Sequence, residues 1–428
     1  MLMKKRLCVC LMIAVMALLA VRAGAEELDA SGQWRYVLKD GGTTITGYEA
    51  EPEGELSIPS ELDGYAVTGI GRWAFSECSD LTGVTIPDSV TSIGVNPFAF
   101  CPLLLNINVS SNSLAYEQMD GVLFDKQRKM LISYPGGREG AYTIPEGILI
   151  IGESAFQDCS GLTKVTIPDS VTSIRDFAFS SCQGLTSVTI PDSVTSIALR
   201  AFSYCSGLVS VTIPVSVTSI GENPFVQCPL SYIGVSPDNP TFEQMDGVLF
   251  DKQRKVLVSY PGGREGTYTI PEGVQVIGDC AFEGCFNLTS VTIPNSVTSI
   301  ADWAFGYCSG LTSVIIPNSV VSIGSYAFSG CDGLTNLTIG DSVTSIGNDA
   351  FEWCSGLTSV IIPNSVTSIG DGAFAWCSSL TSVTIPNSVT SIDDDAFEWC
   401  KKVTLSVEQG SYAEQYAKDN DIPYTFIE

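Results

Sequence analysis

The sequence predicts a repeat solenoid, a stack of near-identical coils built around parallel strands. Three observations carry this. Cys285, Cys308, Cys331, Cys354, Cys377 and Cys400 fall 23 residues apart, as do Cys159, Cys182, Cys205 and Cys228, and a fixed period of this size marks stacked structural units. The unit reads LxxVxIPxSVxSIxxxAFxxCxx. Its opening, "LTSVTIP" in one copy, alternates inward Val and Ile with outward Ser and Thr, the pattern of a half-buried strand. Each coil has a single apolar side that only a neighbouring coil can cover, so the Leu, Val, Ile and Phe of successive coils must merge into one core.

The elements follow in chain order. Residues 1–25 combine Lys4, Lys5 and Arg6 with an apolar stretch from Leu7 to Val21 and a small-residue end at Ala23-Gly24-Ala25, the composition of a cleaved secretory leader. Cys8 and Cys10 lie inside the apolar stretch, so a lipid-modified start is not expected. Residues 26–55 form an N-terminal cap in which Gly32 to Glu51 reads as a hairpin. Residues 56–402 are the coils. Inward Ile or Val residues from Ile58 to Val407 count fifteen strands, which at ~4.8 Å per strand make one sheet about 70 Å long. Pro363 and Pro386 stop their strands. Ser365 and Ser388 follow, where their hydroxyls can bond turn backbone. Phe374 and Phe397, each after an Ala, sit at a short helical or 3₁₀ turn that closes the coil.

Twice the beat of 23 stretches to 35, near 115–141 and 241–267, where "YEQMDGVLFDKQRKMLISYPGGREG" from Tyr116 is matched by "FEQMDGVLFDKQRKVLVSYPGGREG" from Phe242. Val122–Phe124 and Met130–Tyr134, around Asp125–Lys129, read as a hairpin. Both inserts are expected to project from the edge of the solenoid. Residues 403–428 form a C-terminal cap with a short helix and a strand after Gly410.

The motif LxxVxIPxSVxSIxxxAFxxC resembles the Treponema-type leucine-rich repeat of BspA-like surface proteins, over roughly Leu56 to Lys402. The resemblance implies a right-handed arc with a concave parallel β-sheet, irregular or 3₁₀ convex turns, and interruptions like the two inserts. It also implies adhesion to, or binding of, an extracellular protein on host matrix or neighbouring cells.

Charge narrows the partners. Without residues 1–25 the balance is 17 basic against 47 acidic residues, a net charge of −30, which repels phosphate backbones and argues against nucleic acid. No later segment approaches the ~20 apolar residues of a membrane span. A soluble, secreted or extracellular protein is expected, with attachment to a cell surface left open. Eight of the 17 cations fall in the inserts: Lys126, Arg128, Lys129, Arg138, Lys252, Arg254, Lys255 and Arg264. Turn residues are polar in any case, which accounts for them as solvated tips. The sharper reading is a pair of contact knobs for an anionic partner.

Catalytic signals are absent from the sequence. It has no His, which removes the commonest general base and every His-containing metal set. GxSxG does not occur. "GIGRWA", Gly69–Ala74, has the register of "SIGDGAF" in later coils and is a repeat rather than a dinucleotide site. "DDD" at Asp393–Asp395 lacks calcium-loop spacing and reads as surface charge. No enzyme, cofactor or metal is expected. Thirteen cysteines follow the leader, twelve of them at one repeat position. They read as a buried thiol column, with Cys280 and Cys285 the pair to examine for a disulfide. Outward Thr166, Thr189, Thr212, Thr292, Thr338 and Thr384 form a rank that Ile315 and Ile361 interrupt. Before Cys stand Tyr307, Gly330, Trp353, Trp376 and Trp399, and the three Trp of successive coils form a stripe flanked by Glu352 and Glu398. Such a stripe suits carbohydrate or a protein contact, or packing between coils.

Overall fold

In a computed structural model, which describes residues 26–427, the chain is a β-solenoid. The leader read at 1–25 lies outside the described residues.

Each regular coil contributes three axial ladders, only one of which the alternation pattern announces. The long strands pair in parallel at a 23-residue offset, as Ser359↔Ser382 and Val360↔Val383 do. They do not form one fifteen-strand sheet. Their pairing is broken into separate sheets of two to four strands. At each insert the cause is visible: the Ile107 N–H donates to Gly121 O at 2.9 Å and Ile233 to Gly247 at 2.9 Å, so the insert's turn takes the place of the next coil. The second ladder is the two-residue Ser–Ile strand of "SVTSI". It runs through seven strands from Tyr116–Met119 to Ser219–Ile220 and nine from Phe242–Met245 to Ser391–Ile392.

The third ladder lies in the closing turn. Ser154, Phe156 and Asp158 donate their N–H groups to Asp176, Ala178 and Ser180 of the next coil at 2.9, 2.8 and 2.9 Å. Alternate residues can point along the axis only if some adopt left-handed backbone, as Phe177 (φ 54°) and Ser181 (φ 61°) do. That conformation costs about 1 kcal/mol for a non-glycine residue, and the axial hydrogen bonds offset it.

Side chains repeat the same logic. Phe156, Phe179 and Phe202 stack at 4.8 and 5.1 Å, and Phe282, Phe305 and Phe328 at 4.7 and 5.0 Å. The hydroxyls of Thr344, Thr367 and Thr390 donate to carbonyls one coil back at 3.2, 3.2 and 3.3 Å. Ser170, Ser193 and Ser216 donate to carbonyls 22 residues back at 2.8, 2.7 and 2.7 Å. Ser365 and Ser388, at the same repeat position, make no such bond, although the Thr ladder beside them runs there as it does beside Ser170 and Ser193.

The inserts do not project. Each is a three-stranded meander, Tyr116–Met119, Val122–Asp125 and Met130–Ser133 in the first copy. Its last strand pairs in parallel with Ile150–Ile151 of the following coil. Val122, Leu123 and Phe124 are fully buried, because an apolar run without alternation needs cover on both faces. Val122 and Phe124 pack into the core that follows, Leu123 and Ile132 into the one that precedes. In the second copy Leu249 faces back, and Val248 and Phe250 face forward. Each meander is therefore a wall, and the walls divide the core into three blocks. The tips, Lys126–Lys129 and Lys252–Lys255, are exposed, as are the first-turn residues Gln118, Asp120, Met245 and Asp246.

On the turn side the flanking coils are clasped across each wall. Asn96 Nδ2 donates to Ser154 O at 2.6 Å, and Asn223 Nδ2 to Cys280 O at 2.8 Å. Arg72 pairs with Glu153 at 2.6 Å, and the largely buried Arg200 with Glu283 at 2.7 Å. At the ends, Trp34–Lys39 and Gly42–Tyr48 pair as an antiparallel hairpin over Phe75. The helix Tyr412–Asp419, N-capped by Ser411, and the strand Tyr424–Phe426 close the other side.

Two outcomes follow. Asn223→Ala leaves the Phe225 N–H without its partner and removes one of two donors to the Cys280 carbonyl, which keeps the Glu283 N–H at 3.0 Å, and is expected to cost about 1–3 kcal/mol; hydrogen exchange should accelerate around the second wall and not around the first. Burial lifts the Asp158 carboxyl from 3.8 to about 6, so the folded state binds this proton more tightly than the unfolded chain. The stabilising effect of protonation is full below the unfolded value and is lost as pH rises through about 6. Asp158→Asn should therefore be more stable than the parent at pH 7, by on the order of 1 kcal/mol after allowance for water access, and indistinguishable near pH 3.5. Denaturant midpoints at the two pH values measure this, and a gap independent of pH would rule it out.

Candidate interaction surfaces

The two insert tips are built alike from the repeated DKQRK. Asp125 Oδ1 accepts the Arg128 N–H at 2.8 Å, and Asp251 Oδ1 those of Gln253 and Arg254 at 2.9 Å. Lys129 and Lys255 end the turn with φ of 50° and 55°. Four of the eight insert cations serve the fold. Lys126 Nζ donates to Ser113 O at 2.8 Å and Lys252 Nζ to Asn239 O at 2.6 Å. Arg138 holds Leu105 O and Asn106 Oδ1 at 2.6 and 3.0 Å, and Arg264 holds the backbone and carboxylate of Asp246 at 2.6 and 2.7 Å. Arg128, Lys129, Arg254 and Lys255 face water. The two arginines are loosely paired with Asp125 and Asp251 at 3.7 and 3.8 Å, an exposed geometry worth little. The positive charge thus lies on low ridges rather than stalks.

The aromatic stripe sits at the left-handed residue of the closing turn, with φ of 57° at Tyr307 and Trp353 and 61° at Trp376 and Trp399. The three indoles stack face to face, Trp353 on Trp376 at 4.6 Å and 5°, Trp376 on Trp399 at 4.8 Å and 19°. The coil rise sets this spacing. Ring faces are consumed inside the stack and ring edges meet water, with Trp353 41% and Trp399 48% exposed. A sugar platform needs open faces, so the geometry favours packing between coils and leaves a ridge. Glu352 accepts from Ser329 Oγ at 3.2 Å and also bonds the Trp353 side chain, while burial raises its pKa. Lys401 Nζ lies 5.2 Å from the Trp399 ring centre.

Tyr307 stands apart from the indoles. Its ring stacks on Trp303 at 5.7 Å and lies over Gly330, where a Cβ would meet it at 2.5 Å. A second aromatic pair escaped sequence reading: Trp303 and Tyr326 stack at 4.3 Å and 5°. Their 23-residue offset was the available signal.

On the outer face of the long strands Ile315 and Ile361 are 65% and 71% exposed, two coils apart in the Thr rank. The cysteine column turns inward. All thirteen described cysteines are buried and free. Cys182, Cys205 and Cys308 each donate to the carbonyl of a Phe one coil back at 3.1 Å, and burial pushes the Cys285 and Cys308 thiols upward. Cys280 is not bridged to Cys285; its Sγ meets Arg200 Nη2 at 3.1 Å. Asp393–Asp395 are exposed. Among the described residues no cluster of His, Cys, Asp or Glu is arranged to hold a metal ion, and no helix is long and apolar enough to cross a membrane.

The repeat matches the family model described as the BspA type leucine rich repeat region in six copies, over residues 55–124, 140–253 and 275–404. A leucine rich cell surface protein from Faecalibacterium prausnitzii is 31% identical over 92% of this chain and 98% of its own, with a TM-score of 0.53. A leucine-rich repeat protein from Bacteroides ovatus is 25% identical over 92% and 98%, at a TM-score of 0.45. The pneumococcal vaccine antigen PcpA is 18% identical over 95% and 100%, at 0.49. No curated protein matches the chain. Period, ladders and family model agree, and this chain belongs to the BspA-type leucine-rich repeat family.

Proposed function

We propose that this chain is a secreted or cell-surface, non-catalytic binding protein that attaches to an extracellular protein of host matrix or a neighbouring cell. One observation carries the reading. The interior is matched coil to coil, so departures from the repeat with no interior role lie outside, and on the long-strand face the most exposed apolar ones are Ile315 and Ile361, with Val209 and Tyr232 less exposed, among Thr and Ser. Isolated apolar anchors in a polar surround are how protein interfaces concentrate their affinity. The ridges with Arg128, Lys129, Arg254 and Lys255 supply steering charge to the same partner. The leader composition of residues 1–25 supports export, and the Faecalibacterium prausnitzii protein is itself described as a cell surface protein. A carbohydrate module is the weaker reading, since the indole faces between neighbouring coils are occupied and Lys401 lies over the outer face of Trp399.

Capture on immobilised matrix proteins tests this. Ile315→Ser with Ile361→Ser should weaken saturable capture roughly tenfold. Replacing Arg128, Lys129, Arg254 and Lys255 by Ala should slow association and flatten its salt dependence. A spacer with no ligand would show no saturable capture by any matrix protein, and that result would sink the proposal.

A further inference from the structure

We infer that the turn face of the C-terminal block carries a second binding surface, formed by the edges of Trp353, Trp376 and Trp399 between Glu352, Asp395 and Glu398, whose ligand is an arginine-rich protein segment. This goes beyond the proposed matrix contact and uses the opposite kind of partner chemistry.

Charge selects the occupant. From residue 265 to 400 the chain holds fourteen Asp and Glu and not one Lys or Arg; Glu283 pairs with Arg200 of the block before, and Lys401 borders the ridge at its Trp399 end. Glu352 and Glu398 occupy equivalent positions two coils apart. Ala375 lies between them in sequence register and is buried, which leaves the indole ridge uncovered between two acids. The spacing is about 10 Å, twice the coil rise, and one extended dipeptide repeat of a ligand spans about 7 Å. Successive basic side chains of a single segment therefore reach both carboxylates.

The aromatic ridge selects arginine. Its edges offer an apolar floor for methylene stems, and a planar guanidinium binds carboxylate by two parallel N–H donors. The molecule contains its own small version of such a contact, with the Lys401 ammonium over the end face of the stack at Trp399. At the far end of the chain Arg72 lies 4.3 Å over Trp73, so the turn face places guanidinium on indole elsewhere too.

A labelled nona-arginine peptide, titrated into the full chain in dilute buffer, tests the inference by anisotropy and Trp emission. Saturable binding with a change in Trp emission is expected. Glu352→Gln with Asp395→Asn and Glu398→Gln should weaken it at least roughly tenfold. Asp88→Asn with Asp169→Asn and Asp192→Asn removes the same charge from exposed positions elsewhere and should leave it within about twofold. Equal weakening by the two triple variants would reduce the effect to bulk charge and overturn the site, as would binding without any Trp response. Nona-lysine binding as tightly would overturn the arginine assignment. Matrix capture by the Glu352, Asp395 and Glu398 variant should be unchanged, which keeps this result separate from the fate of the proposed function.

Discussion

Everything in this molecule depends on one constraint: each residue has its own repeat equivalent as axial neighbour, about one strand spacing away. A side chain is accommodated only if it tolerates itself above and below. Phe satisfies this by stacking, Thr by passing a hydroxyl to the carbonyl one coil back, and Cys by donating a weak S–H bond to a Phe carbonyl. The last explains why a small sulfur residue recurs in a column without bridging. The thiols are buried and free, and most of those in the column donate to backbone carbonyls, so the column acts as an apolar seam with a polar tether.

The same constraint explains the closing turns. A turn that must hydrogen-bond along the axis three times per coil cannot keep all its residues right-handed. Left-handed backbone falls on Asp158, Ser181, Trp353 and Trp376 alike, which shows that the position and not the residue type demands it. Because the backbone holds these side chains in register, whatever occupies the column is lined up. Successive tryptophans then become a stack whose edges face water.

The two meanders are what keep a long stack from being featureless. Each inserts a two-sided apolar wall, splitting the interior into three cores, and each is bridged by an Asn and an Arg reaching past it. Half of the eight insert cations are committed to hydrogen bonds of the fold, leaving four on the tips. The basic tips and the coils between Arg264 and Lys401, which carry no Lys or Arg, then separate opposite charges along one solenoid, which allows two partners of different chemistry to be bound without competing for one face.

Sequence alone determined the solenoid, the inward Leu, Val, Ile, Phe and Cys columns and the row of Trp353, Trp376 and Trp399 through its 23-residue beat, and the hairpin character of the inserts through their paired apolar runs. Such features are set by nearest neighbours, and in a repeat the nearest neighbour is the next copy of the same letters. The tertiary structure decided what depends on non-equivalent contacts. It turned Val122–Phe124 inward as a wall rather than outward as a projection, broke the long-strand pairing at Ile107 and Ile233, and committed Lys126, Lys252, Arg138 and Arg264 to the fold. It also revealed the Ser–Ile and turn ladders, since two-residue strands and left-handed turns leave no alternation to read. Ring orientation was decided there as well: the period places three indoles in a row, but only the backbone's direction at Trp376 makes them share faces and show the solvent their edges.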